Sequence, residues 1–294
     1  MAQYSCRMKE IRRSQKGQLQ LRMKKIWIVV LVFGLTACNG YNKLLKSTDY
    51  NLKLKKADEF FADKKYVKAQ TLYEDVMPVL SGTPQYEEVY YKWAYSTFYQ
   101  KDYLNAENIF KTFLERFPQS KFAEEMEYMR AYSLYKMSPK PELDQTNTTR
   151  AITFLQTFIN GHPNSDRGKE AERLLDELRG KLETKDFKSA ELYYNLGYYR
   201  AAATAFNELM FNFPDSDRGD YYKLKVIESF YKFAANSLEN LQEERFETVL
   251  NEAADFSDRF PESKLVAEVD KIRADTEKNI NRIKNEQTAQ TNGG

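Results

Sequence analysis

Residues 199–216 read YRAAATAFNELMFNFPDS, and the fold is decided by how often that pattern returns. An aromatic residue is followed three positions later by alanine, then by a second apolar residue, and the stretch closes on a proline turn. The order recurs at Tyr66-Val67-Lys68-Ala69 with Tyr73, at Tyr103-Leu104-Asn105-Ala106 with Phe110, and, without the leading ring, at Ala151 with Leu155. Ala106, Ala151 and Ala202 each stand twelve residues before a proline, at Pro118, Pro163 and Pro214. The turns RFPQS, GHPNS, NFPDS and RFPES place Ser120, Ser165, Ser216 and Ser263 where each is expected to cap the next helix. The copy ending at Pro261 is the most degenerate, and the first closes on Ser81-Gly82-Thr83-Pro84, with Thr83 the expected cap and Pro84 suited to a first helical turn.

Few glycines and prolines, abundant Lys, Glu, Ala, Leu and Tyr, and no alternating strand pattern make the chain all-α. An aromatic content of 14% excludes simple disorder, because so many rings must pack or bind something. The period of about 34 residues is similar to the tetratricopeptide repeat, two antiparallel helices per unit, which implies a superhelical solenoid of about five helix pairs. Alanine is then required where the two helices cross at close range, and the aromatic fills the space beside it. The third unit carries an insert, SPKPELDQTNTT, between Tyr135 and Arg150, expected to loop out between its helices.

The solenoid is preceded by MKKIWIVVLVFGLTACNG, residues 23–40, which has a positive start, an apolar stretch from Ile26 to Leu35 and a small-residue site in the order of an export signal. Ten apolar residues fall short of the roughly 20 that cross a bilayer. Leu35-Thr36-Ala37-Cys38 resembles a lipobox, which implies cleavage before Cys38 and a covalent lipid on its sulfur. Residues 1–22 are expected to be an upstream extension or a mis-called start. Without residues 1–37 the chain has 257 residues, 37 basic and 42 acidic side chains, and Cys38 as its sole cysteine. That balance argues against nucleic-acid binding, and a disulfide is excluded.

Catalytic chemistry is not written into this sequence. His162 is the only histidine and lies in the GHPNS turn, read as a solvated turn residue. There is no glycine-rich phosphate loop, metal-ligand spacing or nucleophile elbow, so the reading is no enzyme, no catalytic or metal residues, and no cofactor besides the lipid on Cys38. Pairs such as Glu124-Glu125 and Glu243-Glu244 read as solvated helix faces. Binding is the function left. With Ala57, Ala94 and Ala131 at the small position of each first helix, the inward face is expected to carry Asp58 and Phe61, then Tyr91, Tyr95 and Phe98, then Tyr128, Tyr132 and Tyr135. Such a groove suits extended peptides rich in aromatics.

The lipobox, the five units with their proline turns, the insert, and the segments CNGYNKLLKSTD, ADEFFADKKYVKAQTLYE, FLERFPQSKFAEE, LDQTNTTRAITFLQTFI and AAATAFNELMFNFPDS together resemble the BamD family of the β-barrel assembly machinery, in its Bacteroidetes form. The resemblance implies a scaffold anchored to the outer membrane and facing the periplasm. Its partners would be unfolded outer-membrane proteins and a BamA-like barrel protein with periplasmic domains. It implies this division: 1–22 extension, 23–37 signal peptide, 38–50 lipidated tether, 51–184 substrate-recognition repeats, 185–285 partner-docking repeats, and 286–294 disordered tail. The competing expectation is a periplasmic tetratricopeptide lipoprotein serving cell-wall or secretion machinery.

Overall fold

The structure, a computed structural model, describes residues 40–292, with side chains through residue 289. The signal segment and Cys38 lie outside these residues. Among the described residues every regular element is a helix: α1 (Tyr50–Ala62), α2 (Tyr66–Leu80), α3 (Gln85–Tyr99), α4 (Tyr103–Arg116), α5 (Ala123–Met137), α6 (Thr146–Gly161), α7 (Gly168–Asn195), α8 (Tyr199–Asn212), α9 (Gly219–Ala235), α10 (Glu239–Arg259) and α11 (Val266–Asn292). α1 with α2, α3 with α4, α7 with α8 and α9 with α10 form packed pairs, and a short helical segment over 40–45 precedes α1. None is long and apolar enough to cross a membrane. The chain divides into two compact units, after Ser133.

In the first unit α1 packs on α2, α2 on α3 and α3 on α4; in the second, α6 to α11 pack in succession and α9 also meets α11. The alanines make this possible. Ala57, Ala69, Ala94, Ala106, Ala131, Ala151 and Ala202 have no exposed surface, because any larger side chain would hold the crossing helices apart. Val249, twelve residues before Pro261, fills the same position in the degenerate copy and is equally buried. Phe110, Phe206, Leu155 and Tyr73, each four residues after the alanine, are fully or almost fully buried beside it.

Three of the hairpin turns share one backbone solution. Lys64, Lys101 and Gly197 each adopt positive φ two residues before the tyrosine that opens the second helix. Around Gly197 the Tyr198 amide donates to the Tyr193 carbonyl at 2.9 Å and the Gly197 amide to Tyr194 at 3.0 Å, closing the C-terminus of α7; Lys65 and Lys64 do the same onto Phe60 and Phe61. Between pairs, the turn serines act one turn ahead of the helix. Their hydroxyls accept the amide two residues on, at 2.9 Å for Ser120 and 3.1 Å for Ser165, Ser216 and Ser263. Three of them also donate to a carboxylate on an earlier helix of the same unit: Ser120 to Glu87, Ser216 to Glu183 and Ser263 to Asp220. Thr83 behaves differently from the expectation: its hydroxyl turns back to the Leu80 carbonyl at 2.7 Å and caps nothing.

Several boundaries differ from the sequence reading. The division at 184–185 falls inside the 28-residue helix α7, which has no helix-breaking residue there. Of the insert, Thr146 to Thr149 already belong to α6, and only residues 138–145 form the loop. That loop is tied down: Gln145 is buried and donates to the carbonyls of Lys140 at 2.7 Å and Leu143 at 3.0 Å, while Lys185 donates to Leu143 at 2.7 Å. The expected disordered tail is helical to Asn292, its residues being compatible with a helix and Arg282 pairing with Glu286 at 3.0 Å. From residue 40 the expected tether is folded as well. Tyr41, Leu44 and Leu45 pack on the core of α1 and α2, and the buried Lys53 holds the Leu45 carbonyl at 2.9 Å while pairing with Asp75.

Candidate binding surfaces

In the first unit the rings join into a ladder. Phe61 meets Tyr66 at 5.8 Å between centroids, Tyr66 stacks on Tyr99 at 4.6 Å, Tyr99 meets Tyr95 at 5.6 Å, Tyr95 meets Tyr91 at 4.8 Å, and Tyr91 meets Phe122 at 4.5 Å. A branch runs from Tyr99 through Phe98 at 5.9 Å to Tyr132 at 5.8 Å and Tyr128 at 5.7 Å. Spacings in this range are favourable ring geometries, so the ladder is self-supporting. Tyr91 and Tyr95 donate their hydroxyls to one carboxylate, Glu125, at 3.3 Å and 2.5 Å. Burial and the Glu125 charge push the Tyr91 phenol up to about 12 and raise Tyr95 further, so both hold their protons at neutral pH.

The predicted groove residues fall into three groups. Phe61, Tyr91 and Tyr132 keep part of their surface open. Tyr95, Phe98 and Tyr128 are only 6%, 9% and 2% exposed and serve as packing within the unit, which corrects their reading as open groove lining. The cause is what they pack on: Tyr95 and Phe98 meet Phe110 of α4 at 5.9 Å and 6.4 Å between centroids, and Tyr132 lies 5.8 Å from Phe98 and 5.7 Å from Tyr128. Tyr135 belongs to the second unit, where it donates to Glu177 at 2.9 Å; burial and that carboxylate raise its pKa. Asp58 accepts from Tyr73 at 2.8 Å and Lys92 at 2.9 Å, a packing contact between helices. Tyr99, 47% exposed at the centre of the ladder, was missed because it lies at the very end of α3, where no periodic neighbour follows it.

The second unit treats its rings differently. Phe187 and Tyr222 pack at 5.7 Å, Arg218 lies 4.5 Å from the Phe187 ring centre, and Tyr222 donates to Glu183 at 2.6 Å. Burial and Glu183 push the Tyr222 phenol up to about 12. Open apolar surface gathers instead around the α7–α8 turn, where Leu192, Tyr193, Leu196 and Tyr198 are 57%, 43%, 59% and 62% exposed. Beside them Tyr199, Ala201, Ala205 and Phe233 help to line a cleft of about 700 Å³. Leu192 and Leu196 share a face at the i, i+4 interval, and that was the signal available in the sequence.

His162 caps the C-terminus of α6 with its ring 5.1 Å from Phe158. Among the described residues no cluster of His, Cys, Asp and Glu could hold a metal ion.

The profile of the family described as YfiO, outer membrane lipoprotein, matches residues 51–248. A protein of Aquifex aeolicus provisionally named outer membrane protein assembly factor BamD is 30% identical over 161 residues, which cover 55% of this chain and 51% of that protein. The chain thus spans about half the length of that relative. The TPR2AB domain of yeast Sti1, solved as a complex with pHSP90, aligns at 13% identity over 78% of this chain and 98% of that one, with a TM-score of 0.36. A tetratricopeptide protein of Thermus thermophilus aligns at 15% identity over 77% and 98%, with a TM-score of 0.31.

Proposed function

This chain belongs to the YfiO family of outer-membrane lipoproteins, and from that premise we propose that it is a non-enzymatic scaffold of outer-membrane protein assembly. Lipid on Cys38 holds it to the membrane's periplasmic face. The first unit receives unfolded β-barrel proteins, and the second docks a BamA-like barrel subunit through its periplasmic domains. The observation that carries this reading is the half-open ring ladder of the first unit. Tyr66, Tyr91, Tyr99, Phe122 and Tyr132 offer apolar area next to hydroxyls, and burying it against an extended, aromatic-ended strand is favourable by about 25 cal/mol per Å² before ordering costs. Those costs keep the complex transient, as a chain that must hand its cargo on requires.

The α7–α8 surface supports the docking half. Large exposed apolar side chains concentrated in one place mark interaction sites more often than scattered ones do. The test is binding of a fluorescent peptide with the sequence of a barrel protein's last strand. Replacing Tyr99 and Tyr132 with alanine should weaken it by about tenfold, on the scale of lost ring burial, with helicity unchanged. Unchanged affinity would overturn the assignment of the ladder. Replacing Leu196 and Tyr198 with serine should spare peptide binding and abolish co-purification of the barrel subunit.

A further inference from the structure

A cleft lies between the 40–47 segment and the first hairpin, lined by apolar side chains and lysines. Its floor is apolar, built from Tyr41, Leu44, Leu52 and Phe60, and it encloses about 820 Å³. Lys43, Lys46, Lys56 and Lys68 stand around it with a single carboxylate, Glu59, which Lys56 occupies at 2.5 Å. Among the described residues Lys43, Lys46 and Lys68 form no ion pair. The Lys68 ammonium is instead held over the rings of Tyr41 at 5.1 Å and Phe60 at 5.5 Å, themselves edge to face at 5.7 Å. Past residue 37 the chain has 42 acidic and 37 basic side chains, so this cationic pocket runs against the overall charge.

We propose that the cleft seats the anionic headgroup of a phospholipid in the leaflet that holds the anchor. The proposal rests on the reading of Cys38 as the lipid-bearing residue, two positions before Gly40 in the cleft wall. The lysines supply the charge that a phosphate diester requires. Tyr41 and Leu52, the latter 42% exposed, supply the amphipathic surface that sits at the level of headgroups. Lipid anchors gain from a second, basic determinant close by, and lysines near an anionic surface each add to attachment. Because the 40–47 segment is clamped by Lys53 to α1, the headgroup contact would also fix how the first unit stands on the membrane.

The experiment uses the whole chain from residue 38 with Cys38→Ser, so that no acyl chain contributes, in flotation with two kinds of vesicle. One is phosphatidylethanolamine alone, the other three parts phosphatidylethanolamine to one part phosphatidylglycerol. Binding is expected only to the second. It should weaken by roughly a hundredfold in the K43Q/K46Q/K68Q variant, from the contribution of each lysine near such a surface. K43Q/K46Q, which removes no ion pair, should show most of that loss with an unchanged melting temperature. Inorganic phosphate at constant ionic strength should not release the protein. Equal binding to both vesicles, indifference to the substitutions, or release by phosphate would overturn the proposal. The mass of the wild-type protein extracted from membranes reports separately on lipidation: a bare Cys38 would remove the anchor reading while leaving the vesicle result to decide the cleft.

Discussion

The two units contain the same kinds of side chain and present them in opposite ways. In the first, tyrosines run in a half-open ladder ending on Glu125, and the exposed ring is Tyr99 at the end of α3. In the second, Tyr222 is fully buried against Phe187 and Glu183, and four exposed apolar side chains cluster at the α7–α8 turn, apart from the scattered Leu143, Phe211 and Leu238. Both units bind a carboxylate with tyrosine hydroxyls, so the chemistry alone does not distinguish a receptor surface from a core. Exposure does. It is greatest at helix ends: Tyr99 closes α3, and Leu196 and Tyr198 lie in the α7–α8 turn.

The largest expected effects show what the units have in common. Phe110→Ala in the first and Phe206→Ala in the second each remove a buried ring beside the repeat alanine and should cost about 3–5 kcal/mol in chemical denaturation. A marked difference between them would mean that the two cores are not equivalent. Arg130→Met should cost about 2 kcal/mol, because Glu107, 3% exposed, loses the guanidinium 2.9 Å from its carboxylate.

Alkaline unfolding sharpens the contrast at the two carboxylates. Tyr91 and Tyr222 are both pushed up to about 12, so the folded state favours their neutral phenols. The stability this gives is complete below the ordinary tyrosine pKa of about 10 and is lost as pH rises from there through about 12. Tyr222→Phe and Tyr91→Phe should each reduce the steepness of that loss, measured by thermal melts across this pH range.

Smaller effects belong to the turns and the surface. Gly197→Ala should destabilise by about 1 kcal/mol through its φ of 79° alone, since nothing lies within 4 Å of the added carbon. Lys64→Gly and Lys101→Gly should gain about 0.5 kcal/mol each for the same reason with opposite sign. Phe211→Ala, at a site 85% exposed, should change stability by less than about 0.5 kcal/mol.

Much of the fold was legible because the repeat constrains it locally. The alanine-to-proline interval located the helix crossings, and the serine after each proline marked the start of the next pair. The site was only partly legible. Placing Tyr95, Phe98 and Tyr128 in a groove required knowing which rings meet a neighbouring helix: spacing alone does not tell, since Phe61, four residues after Ala57, and Tyr91, three before Ala94, stay partly open while Phe98 and Tyr128 at the same intervals are buried. Tyr99 and the α7–α8 patch sit at helix ends, where the turn and not the helical period sets direction. The folded 40–47 segment depends on Lys53 reaching Leu45 and Asp75, a contact that no short-range pattern announces.

The division of labour between the units is tested most directly by photo-crosslinking in cells, with a benzoylphenylalanine placed at position 99 in one strain and at position 198 in another. Position 99 is predicted to capture nascent outer-membrane barrel proteins and position 198 the barrel-forming subunit, each with little of the other's product. Capture of the same partner from both positions, or of neither class from position 99, would contradict the account.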